Sequence, residues 1–443
     1  MNNGNVIHIG IDDTDSKYGM CTTHLAYELV KFLTKKVKFV DYPKLIRLNP
    51  NVPWKTRGNG SVSLKIETTN FNKIKPQIID LVIELSDISK GANPGIVFYH
   101  NDIVSHKLIS FSQAALFKLI SRSMVKKFLN SNNLDYFSMG NGQGLIGAIG
   151  AIGYKFDDHT FELISYRKKF EIGNKRKINL DSVKLIQRKY TSIFNSYYKN
   201  RILITPHGPD PVFYGIRGDD IKSLIYASKL IQTKEKPKGY MIFKSNQGTS
   251  SHLDNIIDTS KFEPYSSGKI IGSVSKHPIV NHGGHVVFAI TDNSNDVKCI
   301  SYKPTKLTNV SMSLIVGDIV CVGGGIRKAS KLHDRILNIE FIEILKLTKH
   351  FKLINPRCSK CNKNMKSGGY NQGFKCIKCK AKSSKKVICE IPRNIKLGLY
   401  IPIPTAHRHL TRPYQRIGIK NTNTAFDKTI PWFHVYDHDF SGE

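Results

Sequence analysis

Cys358-Ser359-Lys360-Cys361 and Cys376-Ile377-Lys378-Cys379 form two CxxC pairs. Four thiolates on two tight knuckles are the ligand set of a tetrahedral, structural Zn²⁺ site, closed by the hairpin between them. The gap between the pairs is slightly shorter than the usual range of about 15–20 residues, and Gly368, Gly369 and Gly373 would let it turn tightly. If these were incidental cysteines, half of the chain's eight would fall into this pattern by chance. At the other end of the chain a strand-like run, Val6–Ile11, leads straight into Asp12-Asp13-Thr14-Asp15, and Gly19-Met20-Cys21-Thr22-Thr23 then opens a helix. Carboxylates at the end of a strand, beside the free N–H groups of a helix start, suit a nucleotide phosphate with its Mg²⁺. Thr22 would offer a hydroxyl there, to bond a phosphate oxygen or to accept a phosphoryl group. The plainer arrangement makes Thr22 or Thr23 an N-cap and the aspartates a solvated turn.

Three further stretches could touch a ligand. Lys55-Thr56-Arg57-Gly58-Asn59-Gly60 combines two cations with glycines that allow close backbone approach, although Asn59-Gly60 is also an ordinary hairpin turn. Gly142-Gln143-Gly144-Leu145-Ile146-Gly147 matches the dinucleotide pattern GxGxxG. The preceding Asp135–Met139 is short and mixed, and further glycines at 150 and 153 are a poor helix opening, so a glycine-rich strand or a substrate-facing loop is expected. Tyr214 and Arg217, in Phe213-Tyr214-Gly215-Ile216-Arg217-Gly218 ahead of a helix, could meet a ligand or form a turn with a snorkelling arginine.

The elements that must position these residues follow from periodicity. Val6–Ile11, Lys44–Leu48 and the alternating Ser61–Glu67 read as strands, and Thr23–Phe32, Ile74–Leu85 and Phe111–Phe128 as helices. This mixture predicts an α/β or α+β first domain, residues 1–129. In the second, 130–263, strands are expected at Thr160–Tyr166, Ile202–Thr205 and Tyr240–Lys244, with a helix at Asp220–Lys229. The third, 264–347, is nearly all strand (Lys269–Ser275, His285–Thr291, Val297–Tyr302, Asp318–Val322, Leu337–Ile342), which suggests an OB-like barrel or a sandwich fragment. The ribbon, 348–392, and a basic tail, 393–443, complete an α+β multidomain chain.

The 443 residues carry 67 Lys+Arg against 34 Asp+Glu, a formal net charge of +33. Between Ile344 and Phe426 the single acidic residue is Glu390. Concentrated around a zinc ribbon, this excess is an electrostatic footprint for phosphates. The ribbon lysines Lys360, Lys363, Lys366, Lys375 and Lys378, with Arg408 and Arg412 of the tail, are the candidate RNA contacts. No apolar run approaches the ~20 residues of a membrane span. The N-terminus lacks a basic flank and an apolar signal core, and Cys21, Cys299, Cys321 and Cys389 show no disulfide spacing. A soluble, cytoplasmic protein is expected.

Several long motifs occur in one order: Ile9–Asp15, Gly19–Thr23, Leu45–Pro50, Lys55–Gly60, Gly144–Gly147, Tyr214–Gly218 and the ribbon. Over nearly its whole length the chain resembles the archaeal tRNA(Ile) 2-agmatinylcytidine synthetases. That resemblance implies a kinase-like domain, a ferredoxin-like domain, an OB-fold and a zinc ribbon. It implies an ATP-dependent ligase that joins agmatine to C2 of the wobble cytidine of a CAU anticodon, so that the tRNA reads AUA. The 2-oxo oxygen is a poor leaving group, and a γ-phosphoryl from ATP would make it a good one; the family also cleaves ATP to AMP. By resemblance Asp12, Asp13 and Asp15 would hold Mg²⁺ and position ATP, and Thr22 matches a threonine that becomes phosphorylated. Gly19, Cys21, Thr23, Lys55, Arg57, Gly58, Asn59 and Gly60 would lie by the nucleotide. A non-catalytic tRNA-binding protein is opposed by the intact aspartates and Thr22. Another ATP-dependent RNA ligase or nucleotidyltransferase is opposed by the lack of a recognisable nucleophilic lysine motif. Residues 417–443 match nothing that assigns them a role.

Overall fold

The computed structural model describes residues 4–331, 333–422 and 424–436. The strand Asn5–Asp12 is apolar because both of its faces are covered. It pairs antiparallel with Gly60–Thr68 on one side and Gly95–Tyr99 on the other. Ile7, Ile9 and Ile11 pack under the helices Thr22–Leu33 and Phe71–Glu84. The opposite face carries the helices His106–Phe117 and Gly144–Gly153. Close approach there depends on Gly10, where a Cβ would stand 2.2 Å from the Ala148 carbonyl oxygen.

The sheet does not end with this first segment. Lys44–Arg47 pairs in parallel with Gly239–Ser245, Lys44 facing Lys244, and the sheet continues through Thr160–Tyr166 and Val212–Gly218. The first core likewise crosses the seam, since Ile164, Tyr166, Met241 and Phe243 pack with Leu25 and Leu29. The helices Leu180–Lys189 and Ile221–Leu230 cover the second half around Val183, Leu224, Leu163 and Phe213.

Five strands follow: Ser267–Val280, Val286–Thr291, Asp296–Ser301, Ile319–Arg327 and Ile336–Lys346. The parallel pairing of Cys299 with Leu337 and Ile300 with Asn338 closes them into a barrel. The sandwich alternative is thereby excluded. Beyond it, Lys366–Ser367, Phe374–Lys375 and Lys382–Ser383 form the small sheet of the ribbon.

Several expectations are corrected. The GxGxxG stretch is loop only at Gly142 and Gln143 and is helical from Gly144, not a strand. It follows a real strand, Asp135–Ser138, and Gly144–Gly153 is helical, because glycines every third residue give one bare face that packs flush on the sheet. Strand and helix join the first sheet layer, although both lie beyond the expected boundary at residue 129. The single helix expected at Phe111–Phe128 is two, His106–Phe117 and Arg122–Ser131; the side chain of Ser121 accepts from the Met124 N–H and starts the second. Of Ile202–Thr205 only Ile202 is strand, as the end of Arg201–Ile202.

The basic tail is not free either. Gly398–Tyr400 adds to the barrel and Phe433–Val435 pairs with Gly239–Met241. Arg416 is fully buried, 2.8 Å from carboxylate oxygens of both Asp158 and Asp219. Residues 437–443, the end of the tail, lie outside the described residues.

Candidate active site

The apolar strand delivers Asp12 to the rim of the sheet, where its carboxylate lies on the glycine face of the helix Gly144–Gly153. A Cβ at Gly147 would stand 1.8 Å from Asp12 Oδ2, so no side chain fits there. The chain then turns sharply, with Asp13 left-handed at φ 56 and Met20 at φ 58. The three aspartates crowd one another in a poorly solvated space. Burial, followed by the charges of Asp13 and Asp15, drives the Asp12 carboxyl well above its ordinary value of 3.8. Burial and then Asp15 push Asp13 up to about 6, against hydrogen bonds from Asn93. Burial raises Asp15 too, opposed first by Arg57. Such a donor set gains most from an added cation. Among the described residues, however, only the four ribbon cysteines bring three or more metal-ligand atoms within 4.8 Å. The aspartates surround a site without closing it.

Thr22 is the first residue of its helix, and the cap position belongs to Cys21, which makes no side-chain cap bond. The N-cap alternative therefore fails. Thr22 is 4% exposed, and its oxygen accepts from the Thr14 hydroxyl at 3.0 Å. Cys21 Sγ lies 3.2 Å from Thr23 Oγ1, and burial raises its thiol pKa. Gly19 closes the turn by accepting from the Ser16 N–H at 3.1 Å.

The Lys55–Gly60 loop leans over this turn. Thr56 donates to Asp15 Oδ1 at 3.0 Å. Arg57 donates to the carbonyls of Met20, Ser16 and Gly19 and lies 3.5 Å from Asp15 and 3.6 Å from Asp210. Lys55 bonds the Pro50 carbonyl, and burial followed by Arg408 lowers its pKa. Asn59, left-handed at φ 49, donates to the Asn49 carbonyl at 2.9 Å. Beneath Gly58 and Gly60 lies Arg47, whose buried Nε has no partner among the described residues. A shallow cleft of about 50 Å³ opens beside Asp12, with Trp54, Lys55, Lys118 and Gln143 in its walls. A larger depression of about 490 Å³, between Asn179, Lys184 and Arg188, contains none of these residues.

Other candidates separate. Arg217 turns inward, its Nε 3.1 Å from the buried Glu162 carboxylate, to which Gln247 also donates. Tyr214 instead faces the second core with Ile216, because residues two apart share a sheet face. Arg412 is engaged internally with Asp158 and the Thr249 carbonyl, and Arg408 with Asn51 and Glu340. Lys360, Lys363, Lys366, Lys375 and Lys378 are all exposed. Glu162, Asp210, Gln247 and Arg47 join the site without having been expected there. Only Arg47 stands in one of the sequence motifs, and no local spacing marks the other three.

In the ribbon Cys358 Sγ is 3.2 Å from Cys379 Sγ, and Cys361 Sγ is 3.3 Å from Cys376 Sγ. The two knuckles repeat one geometry: Asn362 N donates to the Cys358 carbonyl and Lys380 N to that of Cys376, with both residues left-handed. Four converging thiols fit a tetrahedral zinc ion. Cys389 lies apart, on the strand Val387–Glu390.

Family models of the TiaS TCKD domain, the TiaS FLD domain and the TiaS C-terminal zinc ribbon domain match residues 8–72, 142–252 and 355–395. A tRNA(Ile) 2-agmatinylcytidine synthetase TiaS of Cenarchaeum symbiosum is 45% identical, over 99% of this chain and 98% of that one. The chain belongs to the TiaS family. The likeness extends to three dimensions. The crystal structure of apo TiaS is 33% identical at a TM-score of 0.84, covering 94% of this chain and 98% of that one. That of TiaS in complex with its isoleucine tRNA and ATP is 32% identical at 0.83, covering 96% and 100%. Among the described residues no helix is long and apolar enough to cross a membrane.

Proposed function

We propose that this protein is an ATP-dependent ligase that conjugates agmatine to C2 of the wobble cytidine of tRNA(Ile), acting in the cytoplasm. The observation that carries the reading is the near end-to-end likeness to the Cenarchaeum TiaS, in a chain that keeps Asp12, Asp13, Asp15 and Thr22 together at one rim.

In this reading residues 1–129 are the kinase-like domain and 130–263 the ferredoxin-like one, sharing a sheet, with Asp135–Ser138 and Gly144–Gly153 of the second packed into the first layer. Residues 264–347 are an OB-fold, supported by the strand order of the barrel and its closure. Residues 348–392 are the ribbon and 393–443 the basic tail. Asp12, Asp13 and Asp15 would hold Mg²⁺, whose charge, when bound, neutralises that of the triphosphate. The chain's own part is to keep three carboxylates in a site that disfavours their charge, so that cation and nucleotide enter together. Arg57 bridges the aspartate turn and Asp210, and Gly58–Gly60 let the backbone approach phosphate oxygens. Thr22 presents an oxygen already fixed by Thr14. At 4% exposure, it meets a phosphoryl group only when the turn 13–20 shifts. In the conjugation, the amine of agmatine forms the new C2–N bond and the phosphorylated 2-oxygen departs as phosphate. Electrostatic clamping supplies most of the acceleration in such transfers. The target base must leave its stack to reach the cleft beside Asp12, and the exposed ribbon lysines grip the tRNA backbone.

Mass analysis of nucleosides from tRNA(Ile) with a CAU anticodon, incubated with protein, ATP and agmatine, tests the proposal. A cytidine heavier by agmatine less water, dependent on both small molecules, is expected. Its absence with folded protein would overturn the reading.

A further inference from the structure

The segment after the ribbon returns to the catalytic body, where the carbonyls of His409 and Leu410 accept from Gly248 N and Ser250 N at 2.9 and 2.7 Å. These bonds fix the backbone that carries the imidazole of His409. Its Nδ1 is 2.9 Å from Arg217 Nη2 and 3.0 Å from Gln247 Oε1. A guanidinium can only donate, so Nδ1 accepts from Arg217 in the tautomer that carries its proton on Nε2, and Gln247 Oε1, itself an acceptor, then adds no bond to Nδ1. Arg217 is itself held by Glu162, and Glu162 by Gln247. The other edge of the ring lies against the Lys55–Gly60 loop. A Cβ at Gly58 would stand 2.6 Å from His409 Cδ2 and 2.7 Å from its Nε2. Burial, followed by Arg47 and Arg217, keeps the ring pKa well below 6.5, so it is neutral at pH 7.

We propose that His409 is a positioning residue of the active site: its ring is the floor on which Gly58 rests, and it thereby sets the loop that brings Arg57 to Asp15. This rests on the reading of that loop as nucleotide-binding. A residue beyond the zinc ribbon thus completes a site whose other parts lie in the first 250 residues. Arg217 needs an acceptor and Gly58 needs a surface, and the imidazole provides both. The two roles can be separated, because asparagine keeps an acceptor near the Nδ1 position but removes the ring edge and leaves Gly58 only the flexible Arg47 side chain to rest on.

The test compares His409→Asn, His409→Ala and Gly58→Ala in the full chain, by steady-state modification kinetics, tRNA binding and melting curves. His409→Asn should melt like the wild type and bind tRNA as well, yet its kcat/KM for ATP should fall by about tenfold to a hundredfold, as expected when a remote change misplaces reacting groups. Gly58→Ala should show the same defect. Combined with His409→Ala it should cost less than the sum, since the methyl then has one fewer clash. Wild-type kinetics in His409→Asn would reduce the ring to an acceptor for Arg217 and overturn the proposal, as would strictly additive Gly58 and His409 effects. A wild-type protein that neither binds ATP nor modifies tRNA would instead refute the function on which the proposal rests.

Discussion

Replacing Asp13 with asparagine should stabilise the metal-free protein at neutral pH while abolishing its chemistry. Burial and the neighbouring Asp15 raise the Asp13 carboxyl from 3.8 to about 6. Its folded pKa therefore lies above the unfolded one, so the folded state holds the proton more tightly. The associated stability is fully present below about pH 4 and is lost as pH rises through about 6. The difference corresponds to about 3 kcal/mol, the cost of keeping Asp13 ionised in this site at about pH 7.5. Asparagine removes that cost and tolerates the left-handed backbone at φ 56. Melting curves in magnesium-free buffer, without chelator so that the ribbon keeps its zinc, should place Asp13→Asn above the wild type at about pH 7.5. The gap should narrow as pH falls through about 6 and vanish near about pH 4. Mg²⁺ with ATP should stabilise the wild type by mass action but not the variant, and agmatine-dependent modification should disappear. A variant less stable than wild type at that neutral pH, or equally stabilised by Mg²⁺ and ATP, would refute the reasoning.

Thr22→Ala loses the bond from Thr14 and should cost about 1 kcal/mol, leaving a folded protein; agmatine conjugation should nonetheless fall by orders of magnitude if the hydroxyl takes part in phosphoryl transfer. Elemental analysis should find about one zinc per chain and its loss in Cys376→Ser, whereas Cys389→Ser should keep it. Exchanging the exposed Lys363, Lys366 and Lys378 for glutamine should weaken tRNA binding and flatten its dependence on salt, because fewer phosphate contacts release fewer counterions. Arg416→Met leaves Asp158 and Asp219 without their buried partner and should destabilise the catalytic body by about 3–5 kcal/mol, read in its melting curve.

Where the chemistry depends on neighbours in sequence, the residues alone are sufficient. The CxxC knuckles, the aspartate turn after an apolar strand, and the five barrel strands are set by spacing within a few residues and by period-two burial. The strands Val6–Ile11 and Ser61–Glu67 and the helix Thr23–Phe32 lie inside the observed elements for that reason. The helix Gly144–Gly153 departs from expectation because glycine disfavours helix in isolation by about 1 kcal/mol per residue. Burial against Gly10 and Asp12 overrides that preference, and glycine recurring every third residue is the legible sign of a bare packing face. Arg412 is basic by composition but committed by tertiary contacts, since Asp158, 254 positions away, lies 2.8 Å from it. Of the platform Arg47, Glu162, Arg217, Gln247 and His409, only Arg47 and Arg217 stand in sequence motifs, and nothing local marks the other three. Each residue is ordinary in its own segment. Only the parallel join of Lys44–Arg47 to Gly239–Ser245, and the return of the chain from the ribbon, bring the five within hydrogen-bonding or ion-pair reach. The residues of a short stretch decide which element it prefers to form. Which distant stretches meet is decided by burial of the shared core and by buried charges that must find their partners.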